Sequence, residues 1–448
     1  MEGDEIRKVV RETNYVTWRR QGGWDPLVVA RAEGSRFWDD AGKEYLDFSS
    51  QLIATNLGHG NAHVAEAIAS QAHSVAYAAP GFATEARARA SLALLEVLPE
   101  GLNRLFFSTS GTEANEAALK IARVVTGRSK VVTRHRSYHG ATAASISVTG
   151  DFRRRAIERV QRVPGTVFAP DCYCYRCPFD LTYPECGVAC AEYVDHQLAR
   201  EGDVAAMIVE PVVGTNGVLV PVPEYLPRIR EITKKHDVLL IADEVMSGWG
   251  RVGEWFAVNH WNVRPDLLTT AKGITGAQIP LGLTATTAKV HDAFRDTYFP
   301  HGHTYEAHPL TLAPAVAAIE EYRRLGLLEK SRKDGEYLLA RLKEVQERHR
   351  SVGEVRGMGL FAAVELVKNR TTREPFNTED DKMAGRPLVV DQVTGAMMKE
   401  GVFCMGWVSH LLIAPPLIVT REELDHGLEV LDRALALADA KADAAPAG

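Results

Sequence analysis

From about residue 60 to residue 300 the chain alternates short apolar runs with segments of helical period, and this alternation narrows the possible folds more than any other feature. Helical patterns at 62–78 and 83–98 give way to a strand at 104–108, a helix at 112–126 and a strand at 130–133. A strand at 205–210, a helix at 227–236 and strands at 238–242 and 267–270 continue the series. Strands joined through helices pair in parallel and need cover on both faces. The expectation is therefore an α/β protein on a mostly parallel sheet. Ligands of such sheets gather beyond the C-terminal ends of the strands.

The two ends of the chain read differently. Residues 1–57 suggest an N-terminal arm: a polar helix, the aromatic stretch Tyr15-Val16-Thr17-Trp18, and short strands at 28–32, 35–39 and 44–48. Beyond about 305, helical patterns at 309–324 and 327–349 flank Gly326, and strands follow at 355–358 and 360–366. A polar loop at 368–383, a helix at 388–400, a strand at 411–414 and a helix at 421–441 complete the pattern. The expected division is an arm at 1–57 that joins the smaller domain, a large domain at 58–304 and a smaller α+β domain at 305–448. Residues 442–448 are expected to form a disordered tail.

Composition excludes several classes. A net charge of −6 and a pI near 6.2 give no reason for the whole molecule to bind nucleic acid or an anionic membrane. No run approaches the roughly 18 apolar residues of a membrane span. The acidic start Met1-Glu2-Gly3-Asp4-Glu5 lacks the apolar core of a signal peptide, so a cytoplasmic protein is expected. Five of the six cysteines (Cys172, Cys174, Cys177, Cys186 and Cys190) crowd into one segment. Reduced thiols packed in a loop, a metal and a disulfide all fit that spacing, and no catalytic role follows from it.

The chemistry lies at strand ends. Lys272 follows the apolar run Leu267-Leu268-Thr269-Thr270-Ala271, and Asp243 ends the run 238–242. A carboxylate at the end of so apolar a strand is costly unless it meets a cation. A lysine and an acid so placed suit a pyridine aldehyde, the lysine as Schiff base and the acid as partner of the ring nitrogen. Ser110-Gly111-Thr112-Glu113 opens a helix directly after a strand, leaving backbone N–H groups and the positive dipole end for a phosphate. An ordinary N-cap accounts for the same residues. Tyr138-His139-Gly140 and Glu210-Pro211 also follow strands, and each is explained by packing or exposure as well as by a site. Gly248-Trp249-Gly250-Arg251-Val252-Gly253 fits a dinucleotide-binding pattern, but Glu254-Trp255-Phe256 follows where a helix should open.

The order of these motifs, with Gly250-Arg251, Pro280-Leu281-Gly282 and His301-Gly302-His303-Thr304-Tyr305, resembles the class III pyridoxal-phosphate aminotransferases of fold type I, from about residue 20 to 435. The resemblance implies pyridoxal 5′-phosphate as cofactor and no metal. It makes Lys272 the Schiff-base lysine and proton shuttle, and Asp243 the partner of the ring nitrogen. Tyr138 and Val245 would pack on the two ring faces, and Ser110, Gly111 and Thr112 would hold the phosphate. Glu210 would organise the site beside the cofactor. Thr304 would reach the phosphate of a neighbouring subunit, which implies a homodimer with interface sites, alone or within a tetramer.

On the substrate side the resemblance implies a pocket of Trp18, Leu52, Phe82, Tyr138 and Met246, suited to a primary amine or an ω-amino acid. The acceptor would be a small 2-oxo acid such as pyruvate. The branch most similar is that of ω-aminotransferases and taurine–pyruvate aminotransferases. An aminomutase or decarboxylase on the same scaffold is the alternative. Many family members carry an arginine several residues before an Ala-Pro-Pro segment to grip a carboxylate. Here Phe403–His410 contains none, and Arg19, Arg20, His410 or a backbone site would have to replace it.

Overall fold

A computed structural model of the chain describes residues 1–160 and 162–443, so the tail expected at 442–448 lies mostly outside the described residues. The strands, in chain order, are β1 (Val29–Glu33), β2 (Arg36–Asp39), β3 (Glu44–Asp47), β4 (Leu102–Ser108), β5 (Lys130–Arg134), β6 (Thr166–Ala169), β7 (Val204–Val209) and β8 (Leu239–Asp243). They continue as β9 (Leu267–Thr270), β10 (Gly282–Thr287), β11 (Val352–Gly357), β12 (Ala362–Asn369), β13 (Glu374–Pro375), β14 (Val402–Phe403), β15 (Met405–Trp407) and β16 (His410–Ile413).

Strands β4 to β10 form one seven-stranded sheet in the order β4-β10-β9-β8-β7-β5-β6. Only β10 runs against its neighbours. All six residues of β7 are buried, as expected for a strand covered on both faces. Because β4, β9, β8, β7 and β5 point the same way, their C-terminal ends lie along one edge. That edge gathers Ser110, Lys272, Asp243, Glu210 and Tyr138.

The remaining strands make two antiparallel groups. β11-β12-β16-β15 form a sheet with β13 on its edge, and helices Leu327–Arg348 and Arg421–Asp439 pack nearby. β1-β2-β3 form a ribbon whose last strand takes β14 in parallel, pairing Val402 with Leu46. The N-terminal arm is thus hydrogen-bonded to the C-terminal part of the chain.

Several sequence expectations shift. Strands β6 and β10 and helix Ala189–Glu201 were not anticipated. β10 reads Gly-Leu-Thr-Ala-Thr-Thr, too small and too polar to look like a buried strand, yet it sits between β4 and β9. The polar loop expected at 368–383 instead holds β13 and helix Glu379–Ala384, the latter started by a capping box between Thr378 and Asp381. The helix expected at 62–78 ends at Ser74. No helix among the described residues is long and apolar enough to cross a membrane.

Candidate active site

A cavity of about 340 Å³ opens at the strand-end edge. Its walls include Ser110, Gly111, Thr112, Asn115, Tyr138, His139, Glu210, Asp243, Val245, Met246 and Lys272. The helix Gly111–Thr126 points its N-terminus into it. Ser110 caps that helix, its hydroxyl accepting from the Glu113 N–H at 3.2 Å. Glu113 reaches back to the Thr109 N–H at 2.7 Å. The expected N-cap is therefore present, and it leaves the Gly111 and Thr112 N–H groups without acceptors among the described residues. Room there is set by glycine: a Cβ on Gly111 would stand 2.7 Å from a Val245 methyl.

Asp243 is buried and held from three sides. The Asn115 amide donates to its Oδ2 at 2.8 Å, His139 Nδ1 lies 2.7 Å from the same oxygen, and the Val245 N–H donates to Oδ1 at 3.1 Å. Asn115 is itself fixed by the Thr269 hydroxyl at 2.6 Å. Glu210 accepts from the Tyr138 N–H at 3.0 Å and the Gly214 N–H at 2.8 Å. Burial raises the Glu210 pKa, and nearby Asp243 raises it further against the pull of His139. Lys272 sits at a left-handed φ of 52°, which turns the chain out of β9. Burial lowers its pKa from 10.5 to about 8, although Asp243 and Glu210 oppose the shift.

Ten of the residues singled out from sequence line this cavity or touch its lining. Trp18 stands behind Tyr138, its ring edge-on with centroids 6.2 Å apart. Leu52, Phe82 and Thr304 do not reach the cavity of their own chain. Leu52 and Phe82 are 63% and 68% exposed, and Thr304 is an exposed residue whose carbonyl accepts from Tyr77. Of the arginines considered as replacements, Arg19 is exposed and Arg20 donates to the Ala384 carbonyl. His410 is buried against Glu365 at 3.2 Å and borders a separate cavity of about 200 Å³.

Sequence reasoning missed Arg153. It is buried, ion-paired to Asp151, and stacked 3.7 Å above the Tyr138 ring centroid and 4.4 Å from that of Trp407. Nothing in the local run Asp151-Phe152-Arg153-Arg154-Arg155 distinguishes it from its neighbours. The glycine-rich Gly248–Gly253 motif opens no helix. It wraps Arg251, which donates to the Leu360 and Pro415 carbonyls at 2.9 and 2.6 Å.

A buried strand-end acid, a lysine of depressed pKa and an open helix N-terminus thus share one cavity, an arrangement whose chemistry a phosphorylated pyridine aldehyde would fit. The family profile "Aminotransferase class-III" matches residues 19–435, and the chain belongs to this family of pyridoxal-phosphate-dependent aminotransferases, of fold type I. It is 35% identical to a leucine/methionine racemase of Thermococcus litoralis over 92% of this chain and 91% of that one. It is 34% identical to a taurine–pyruvate aminotransferase of Bilophila wadsworthia over 98% and 99% of the two chains. Among solved structures, a taurine:2-oxoglutarate aminotransferase of Bifidobacterium kashiwanohense, in complex with PLP and glutamate, superposes with a TM-score of 0.93 at 35% identity, covering 99% of each chain.

Proposed function

We propose that this aminotransferase moves the amino group of a primary amine or ω-amino acid to a small 2-oxo acid such as pyruvate. The observation that carries this reading is Arg153. It supplies a buried guanidinium, ion-paired to Asp151, stacked on the ring of Tyr138, which lines the cavity. It takes the place proposed from sequence for Arg19 or Arg20, neither of which reaches the cavity.

Pyridoxal phosphate, when bound, supplies an aldehyde for attachment and a ring that accepts electron density from the substrate carbon. The chain's own groups would divide the remaining work. Gly111 and Thr112 would donate backbone N–H groups to the phosphate, with Ser110 holding the helix start in place. Asp243, fixed by Asn115 and His139, would keep a positive charge on the ring nitrogen. Val245 and Tyr138 would confine the ring, and Glu210 would anchor the Tyr138 segment through its N–H. Lys272 Nζ, with a pKa near 8, holds or releases a proton close to neutral pH and would serve as the base for the substrate carbon. Arg153 would pair with the carboxylate of the oxo acid or the acidic end of an ω-amino donor. Met246 and Trp18 would border the donor's chain.

The same reading includes a homodimer in which Thr304 reaches the partner's site. Exposed Leu52, Tyr77, Phe82 and Tyr305 support it, since large apolar side chains left bare on one subunit suit an interface. The three groups of strands support the division at 1–57, 58–304 and 305–448.

Taurine, β-alanine, putrescine and 1-phenylethylamine should be compared as donors, with pyruvate and 2-oxoglutarate as acceptors. Arg153→Met should raise KM for pyruvate and for the acidic donors by roughly 10- to 100-fold, the worth of a charge-assisted hydrogen bond. The half-reaction of 1-phenylethylamine should change little. Unchanged KM for pyruvate would remove Arg153 from the role. Turnover that needs no oxo acid would move the chain to the non-transferring enzymes of this scaffold, such as an aminomutase or decarboxylase.

A further inference from the structure

The second cavity, of about 200 Å³, shares no lining residue with the catalytic one. The two are nevertheless close. Trp407 lines the second cavity, and the Arg153 guanidinium stacks 4.4 Å from its ring centroid. Asn216, also in the lining, donates to the Asp151 carboxylate at 3.2 Å, and Asp151 is the ion-pair partner of Arg153. The central-sheet part of the chain contributes Arg136, two residues past β5. The antiparallel part contributes Ser409, between β15 and β16, and Glu379, which opens helix Glu379–Ala384. The space exceeds what a single water needs and suits one small solute.

Part of the charge around this cavity is matched within the chain. The Glu365 carboxylate accepts from Arg176 Nε at 2.6 Å and from Arg356 Nη1 at 2.7 Å, and His410 Nε2 lies 3.2 Å from it. Three lining groups stand unmatched. The Arg136 guanidinium has no acceptor among the described residues; its backbone N–H donates to Asp171, while the guanidinium lies 5.0 Å over the Tyr173 ring. The Glu379 carboxylate accepts no hydrogen bond among the described residues. Its ion pair with Arg155 is long, at 3.5 Å, and Arg155 sits closer to Asp380, at 2.7 Å. Ser409 is only 7% exposed, and its hydroxyl has no partner among the described residues. Burial raises the Glu379 pKa, Asp151 adds to the shift, and Arg155 and Arg136 oppose it. Polar groups removed from bulk water in this way call for a partner.

We propose that this cavity binds a small amino acid as its zwitterion, the carboxylate on Arg136, the ammonium on Glu379 and the Ser409 hydroxyl beside them. One such molecule supplies both the acceptor that Arg136 lacks and the donor that Glu379 lacks. It also brings no net charge into a cavity lined by two arginines and two glutamates. A simple anion would stand beside Glu379 as a like charge, and a simple cation would do the same at Arg136. Recognition rests on the two charged ends, so a secondary amine fits as well as a primary one.

N-methylglycine is the probe, because its secondary amine cannot hand its nitrogen to the cofactor. Calorimetric titration of the cofactor-loaded protein is expected to show one molecule bound per chain. Arg136→Gln and Glu379→Gln should each weaken binding by roughly 10- to 100-fold, the worth of one charge-assisted hydrogen bond. Arg136→Lys should recover part of the loss, and Arg153→Met should leave binding largely unchanged. Acetate and dimethylamine, each carrying one of the two charges, should bind roughly tenfold more weakly or worse. No binding, or binding indifferent to both Arg136→Gln and Glu379→Gln, overturns the proposal. Acetate binding as tightly as N-methylglycine would make this a plain anion site, and loss of binding in Arg153→Met would place the probe in the catalytic cavity; either result overturns it too. If a variant does not fold, a crystal structure of the wild-type protein with N-methylglycine decides. Density between Arg136 and Glu379 supports the site, and density elsewhere or none refutes it.

Discussion

Lys272 owes its chemistry to a position that strips water from an ammonium group while leaving it open to the cavity. Its pKa near 8 leaves about a tenth of the amine neutral at pH 7, far more than an ordinary lysine would have. Capture of pyridoxal phosphate by cofactor-free protein should therefore speed up about tenfold per pH unit and level off near pH 8, as read by stopped-flow absorbance. A rate still rising steeply at pH 10 would show an unperturbed lysine. The linkage has a definite sign. Between about 8 and 10.5 the folded chain binds fewer protons at Lys272 than the unfolded chain does. Stability of the cofactor-free protein should thus rise with pH across that window, and Lys272→Met should abolish this part of the dependence. Lys272 and Asp243 were readable because an apolar strand ending in a charge is rare. Arg153 was not, since only the fold lays it on Tyr138.

At the scale of elements, the site depends on how β10 meets the start of helix Gly111–Thr126. Gly282 opens β10 so close to that start that an added Cβ would overlap the Ser110 carbonyl. Gly282→Ala should cost about 1–3 kcal/mol, as overpacking does, and should also weaken cofactor retention by displacing the N–H groups proposed to hold the phosphate. Gly395 provides the contrast. It lies inside helix Val389–Lys399 with nothing near its missing Cβ. Gly395→Ala should stabilise by roughly 0.5–1 kcal/mol and leave the cofactor untouched. Urea midpoints and cofactor absorbance after dialysis check both, and equal effects of the two changes would contradict the packing argument. Helices and strands with strong periodicity were legible in sequence. β10 and helix Glu379–Ala384 were not, because one is threonine-rich and the other is short and mostly charged.

At the scale of the molecule, Arg251 ties three parts of the chain together. Its guanidinium is fully buried and donates to Leu360 and Pro415 carbonyls, to the Ser50 hydroxyl at 3.1 Å and to Asn56 Oδ1 at 2.7 Å. Burial lowers its pKa to about 10, so it remains charged at neutral pH. Arg251→Met leaves four buried acceptors unpaired and should cost about 3–5 kcal/mol by urea denaturation. A loss under about 1 kcal/mol would mean that water replaces the guanidinium. The proposed dimer is tested at the same scale. Dilution to monomers in the ultracentrifuge should release cofactor and activity together, whereas a fully active monomer would refute an interface site.

Local sequence determined which segments become long helices and buried strands, and which strand ends carry the lysine, the acid and the helix start. Those features depend on hydrophobic period and on residues near one another along the chain. Tertiary structure alone decided that β10 enters the sheet reversed, that β14 joins the N-terminal ribbon, and that Arg153 lies above Tyr138. It also decided that Leu52, Phe82 and Thr304 are exposed and do not line the cavity. Each of these depends on partners distant in sequence, and local periodicity carries no record of which distant surface a side chain will meet.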